Sequence, residues 1–286
     1  MLVAVGFLAA MDAVLKVFAG YYPPIQVGAM RGAASIIFIL LPLVYTGRWG
    51  DLRPVRWHLH LLRGVLAVVM LWGFIYAISQ LSLADAYAIF FVAPLFVTAL
   101  SVPILGERVS WRRWAAIGVG MLGVTYMLQP TGAGLSLLGA LGAVASALAY
   151  ALSVLLARVL TRTDTTVAIV FWFLVLLTVF AGLIAAPNWV PIRREHWLWL
   201  GVLGIVGALG QHFVTEAFRQ APPAIVAPFE YTAILWAVTF DWIIWSVLPD
   251  GRVYIGAPLV IGCGLYIIWR ERAIKAELAA AEGQAA

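Results

Sequence analysis

Asp12 and Lys16 stand four residues apart inside the apolar run from Leu2 to Ala19, where a helix stacks them one above the other on a single face. An ionised side chain near the centre of a bilayer costs about 2.5–3.5 kcal/mol on insertion scales, so such residues face a cavity or a partner. Two uses compete here. The pair can neutralise itself as a structural element, or it can border a path for a polar solute, joined by Arg31 from the next apolar run. In that second use the cations Lys16 and Arg31 would attract a carboxylate.

Acids of the opposite kind lie far along the chain. Glu230 and Asp241 fall in the run 224–248, and on a continuous helix they would return to nearly one face, roughly 16 Å apart. Glu230 offers a contact for a substrate ammonium or a proton, with pairing to an arginine as the competing use. His212, Glu216 and Arg219 follow i, i+4, i+7 and share a helix face. They form either a proton relay or a Glu216–Arg219 ion pair with His212 as a polar neighbour. Trp72, Tyr76 and Ser79 make one stripe and Ser146, Tyr150 and Ser153 another, with Tyr87, Phe90, Tyr231 and Trp236 near them in the repeat layout described below. Such rings can hold bulky apolar or aromatic substrates while their polar tips reach water; core or lipid packing is the competing use of each.

Motifs for other chemistries are missing. The chain has no His-Glu-x-x-His, no Cys/His cluster and no P-loop, so no metal, cofactor or ATP is expected. With Cys263 as the single cysteine, no intramolecular disulfide can form.

The elements that must position these residues are membrane spans. Hydrophobic residues make up 64% of the 286-residue chain, charged residues 11%, and the mean hydropathy is +1.00, far from a soluble composition. Ten apolar runs are long enough to cross: 1–20, 24–46, 58–80, 83–105, 112–130, 135–160, 166–186, 196–218, 224–248 and 253–270. They lack the alternation of a membrane barrel, and helices are the other way to satisfy the backbone in lipid. The expected fold is thus an all-α integral membrane protein. A secretory signal is the competing use of the first run, but it lacks a basic start and carries Asp12 and Lys16.

With the N-terminus in the cytoplasm, basic residues such as Arg48, Arg53, Arg56, Arg112, Arg113, Arg158, Arg162 and Arg270 fall on the inner side, against Arg193, Arg194 and Arg252 outside. The positive-inside rule therefore places both termini in the cytoplasm. That bias also accounts for the net charge of +5, which implies no nucleic-acid partner. Residues 271–286 read as a solvated cytoplasmic tail.

A shift of about 140 residues sets Ala77-x-x-Gln80 on Ala217-x-x-Gln220 and Tyr126 on Tyr266, with the Gly106-Glu107 turn near Pro249-Asp250. Each half, 1–130 and 135–270, holds five runs. Because five is odd, the second copy must enter with opposite polarity, giving an inverted repeat of the kind many secondary transporters use. Chance alignment of Leu/Ala/Gly-rich sequence is the alternative. Gly118, Gly120 and Gly123, like Gly201 to Gly210, suit close helix packing.

Pro94-Leu95-Phe96 through Leu105-Gly106-Glu107-Arg108 and the Gly-rich run that follows resemble the drug/metabolite transporter superfamily with paired EamA repeats. Asp12-x-x-x-Lys16, Gln26 and Arg31 resemble its branch of YddG-type amino-acid exporters. Leu248-Pro249-Asp250 departs from the Gly-Glu pattern, so Asp250 receives no role. The resemblance implies a substrate cavity between the halves and export of small metabolites across the bacterial inner membrane.

The expectation is a secondary transporter, not an enzyme, exporting aromatic or other neutral amino acids by alternating access. Glu230 and Lys16 would meet the two charges of a zwitterion. Its partners are the small-molecule substrate and membrane lipids, and a monomer suffices to enclose the path. Inward uptake of a nucleoside-like or sulfonium metabolite is the second reading. A membrane-embedded enzyme acting on lipids is a third, and it would need an acid or metal cluster at one interface.

Overall fold

The computed structural model describes residues 1–80, 89–107, 109–128 and 136–246, together with 255, 256, 258, 259, 261–263, 265, 266 and 269. Tyr87 lies outside the described residues, as do the side chains of Ser79 and Asp241. No strand occurs among the described residues. The helices are α1 (Leu2–Ala19), α2 (Pro24–Thr46), α3 (Trp57–Gln80), α4 (Ala93–Leu105), α5 (Trp111–Leu128), α6 (Leu137–Leu160), α7 (Thr166–Ala185), α8 (Trp197–Gln220) and α9 (Ala233–Trp245). The described residues from 255 to 269 are helical as well. Among the described residues, six helices are long and apolar enough to cross a membrane: α1, α2, α3, α6, α7 and α8.

Local chemistry sets the boundaries. Pro24 opens α2, where its missing N–H costs nothing. Ser136 and Thr165 accept from the N–H groups of Gly139 and Ala168 and cap α6 and α7. Gly106 ends α4 in the left-handed region, at φ 70°, a conformation that costs other residues.

The two halves share one helical register. Adding 140 to Trp57–Gln80 gives Trp197–Gln220, so α3 maps onto α8 without an offset, and Ala93–Leu105 maps likewise onto Ala233–Trp245. The match reaches backbone detail. The N–H of Gly106 donates to the Val102 carbonyl and that of Ser246 to the Trp242 carbonyl, each at 3.0 Å. Ser246 also has a positive φ, 54°. The geometric counterpart of Gly106 is therefore Ser246, not the Pro249-Asp250 turn that sequence reading sets against it.

Packing follows the same reciprocity. Helix α1 lies on α8 as α6 lies on α3; α2 lies on α8 as α7 lies on α3; α4 lies on α6 as α9 lies on α1; and α2 packs on its own counterpart, α7. Gly73 and Gly142 let α3 and α6 meet closely: a Cβ on Gly73 would stand 2.8 Å from the Gly142 carbonyl oxygen.

Polar clasps tie the ends of these pairs. At the end where α1 begins, Asp164, in the α6–α7 turn, accepts from the N–H of Val55 at 2.8 Å and from Thr163 Oγ1 at 2.6 Å, and lies 3.1 Å from His60 Nε2. Burial alone would push the Asp164 carboxyl up, but the hydrogen bonds from Thr163, His60 and Val55 outweigh it and hold the group below its ordinary 3.8. Close by, Arg63 donates to the carbonyls of Ser153 and Ile169. A second clasp lies at the opposite end. Tyr22 Oη lies 2.7 Å from His196 Nδ1, and Gln26 exchanges two hydrogen bonds with the backbone of Val190.

Candidate functional site

The ninth apolar run is not one continuous helix. After a single helical turn, Pro223–Val226, the backbone tightens into a 3-10 segment, Ala227–Thr232, before α9 begins. The continuous-helix geometry expected for Glu230 and Asp241 does not hold, and the break itself presents Glu230. Its Oε1 accepts a 2.8 Å hydrogen bond from Tyr150 Oη on α6. Phe90 lies 5.9 Å from the Tyr150 ring and Phe74 lies 5.4 Å from Phe90.

This cluster sits on the repeat axis. Phe90 and Glu230 are 140 residues apart and both meet Tyr150. Phe91 and Tyr231 are also 140 apart and touch one another, ring centroids 6.0 Å apart. Counterparts can touch only where the two halves meet.

Tyr231 corrects the sequence reading. It is 1% exposed and packs with Ile117, Phe91, Leu95, Met121 and Leu235, so it belongs to the core and not to a cavity wall. Gly120 makes room for its ring.

A second charged group lies on α1 and α2. Val5, Leu8, Asp12, Lys16 and Ala19 share one face of α1; Val5 is buried, Leu8 half-buried, and Asp12, Lys16 and Ala19 exposed. Charged groups rarely face lipid at this depth, so this exposed face of α1 is read as bordering a polar cleft. Toward the start of α1 the surroundings are apolar. Ala4, Val97, Leu155, Phe218 and Val226 form a dry cluster with Leu8 and Tyr150 at its border. Asp12 and Arg31 are electrostatic partners across α1 and α2.

The remaining expected residues scatter. Trp72 and Tyr76 are exposed on the same stripe of α3. Trp236 stacks on Phe240, and its ring lies against Gly6 of α1. His212 meets Phe213, which stacks on Phe7. Glu216 and Arg219 do not bond each other directly: Thr166 Oγ1 donates to Glu216, and Arg219 donates to Thr166. Arg158 adds bonds to the carbonyls of Phe218 and Arg219. Phe74, Arg158 and Thr166 were not singled out in the sequence; Arg158 carried the only signal, a cation in the last turn of an apolar helix. No group of three or more His, Cys, Asp and Glu that could hold a metal ion occurs among the described residues.

The model of the EamA-like transporter family matches residues 1–129 and 137–270. The chain belongs to this family. A riboflavin transporter of Vibrio cholerae is 30% identical over 84% of this chain and 80% of its own length. The pseudopaline exporter CntI of Pseudomonas aeruginosa is 30% identical over 88% of each. An S-adenosylmethionine uptake transporter of Rickettsia conorii is 25% identical over 92% of this chain and 89% of its own. A solved crystal structure, 18% identical, covers 96% of this chain and 97% of its own at a TM-score of 0.81, which shows the same fold.

This EamA-family protein is a multi-pass membrane transporter, and its relatives are named as transporters, not enzymes. Its two charged groups are chemically complementary: a carboxylate with a phenol and two rings on the axis, and an acid beside a guanidinium in the cleft.

Proposed function

We propose that this transporter exports amino acids, aromatic and other neutral ones, across the bacterial inner membrane by alternating access. In this reading ten spans form two inverted five-helix repeats, 1–130 and 135–270, with both termini cytoplasmic. The carrying observation is the Tyr150–Glu230 hydrogen bond at the junction of the halves, flanked by Phe74 and Phe90. Its carboxylate suits a substrate ammonium, and the rings suit an apolar side chain. Tyr150 stands about 15 Å from the end of α6 by helical rise, whereas Asp12 and Arg31 each stand about 10 Å from the opposite face of the bundle. In a core of about 30 Å the two groups then differ by only about 5 Å in depth.

The test is counterflow of labelled phenylalanine into proteoliposomes preloaded with unlabelled amino acids. Accumulation in the wild type that Glu230→Ala abolishes is the expected result; a Glu230→Ala protein that accumulates label normally removes the ammonium site. A second reading, uptake of a sulfonium or nucleoside-like metabolite, is favoured by the Rickettsia relative named for S-adenosylmethionine uptake. A sulfonium cation would also suit Glu230 and its rings. Lack of phenylalanine counterflow with accumulation of a labelled sulfonium compound selects it.

A further inference from the structure

Arg31 has a charge and five donors to satisfy, yet among the described residues its side chain makes no hydrogen bond, and its Nε is buried without a partner. The acid that offsets its charge is Asp12, which stands exposed at the head of the cleft. A guanidinium with donors left unsatisfied takes a carboxylate in bidentate fashion. Both acids, one resident and one arriving, would address the same cation.

Resting on the proposed amino-acid reading, we propose that Arg31 is the anchor for the substrate carboxylate and that Asp12 is its resident stand-in. With substrate bound, the substrate carboxylate satisfies Arg31. With the site empty, Asp12 does so, and the carrier can reorient without exposing a bare buried cation to the low dielectric of the sealed state. Asp12 is thus needed for the empty return step and not for binding. Without it the protein would still swap one substrate for another, but it could not complete a cycle of net transport.

The experiment compares two modes in proteoliposomes loaded with labelled phenylalanine: net efflux into plain buffer, and exchange against external phenylalanine. In Asp12→Asn, net efflux should fall at least about tenfold further than exchange does, the loss a single charge interaction carries. Asp12→Glu should restore net efflux. Arg31→Gln should lower both modes for phenylalanine at least about tenfold. Equal rates in both modes for Asp12→Asn overturn the inference. So does loss of exchange in an Asp12→Asn protein that unfolds at the wild-type temperature, and so does an unaffected Arg31→Gln protein. A wild type that moves no amino acid in either mode fails before any variant is read, and then the substrate reading falls and takes this inference with it.

Discussion

Tyr150 and Tyr231 show how differently one residue type can be used. The hydroxyl of Tyr150 donates to a carboxylate, and such a bond contributes about 1.5–3 kcal/mol. Tyr150→Phe should therefore weaken apparent substrate affinity about tenfold or more if Glu230 loses its orientation, measured as the half-saturating concentration in counterflow. The hydroxyl of Tyr231 is buried without a partner, so Tyr231→Phe should leave the melting temperature in detergent unchanged or higher. At Asp164 the lowered carboxyl stabilises the fold at all pH values above the ordinary 3.8 and loses that contribution as pH falls through the lowered value. Asp164→Asn should cost about 1–3 kcal/mol at neutral pH, and the gap to wild type should close in acid below 3.8. Asp12, Arg31 and Glu230 were legible in the sequence because a charge in apolar surroundings demands a partner. The buried role of Tyr231 was not, because it depends on which way a 3-10 turn points two adjacent residues.

The helices themselves were largely readable from hydropathy, and the breaks within them were not. Residues 224–248 read as one span, yet Pro228 denies an N–H to a regular ladder and the chain tightens over Ala227–Thr232. That irregular backbone is where Glu230 gains its position, as membrane proteins tolerate broken helices only where they are enclosed or line a cavity. Register is equally hidden. Gly106 and Ser246 occupy the same left-handed cap, but only one is glycine, so residue identity misaligns the halves there. The cap strains Ser246, and Ser246→Gly should raise stability by up to about 1 kcal/mol, read as a higher melting temperature. The reverse change, Gly106→Ser, should lower it by a similar amount.

Across the whole molecule the reciprocal packing is more regular than the sequence identity behind it. The 140-residue shift found from a few residues is obeyed by entire helix boundaries, because lipid constrains length and packing while leaving most side chains free to vary. What composition could not reveal is that the halves interlock. The main partners of α1, α2 and α3 are α8, α7 and α6, and neighbours within a half touch far less. Separate halves, 1–130 and 131–286, should each fail to give a stable protein in detergent, and co-expression should recover one that co-purifies. The same interlocking has a consequence for biosynthesis. Helix α3 leaves the ribosome 140 residues ahead of α8, an interval of about 7–28 s at about 5–20 residues per second. For that time α1 waits in the lipid with its face for α8 unclaimed, while α3 and α2 meet α6 and α7 as soon as these emerge.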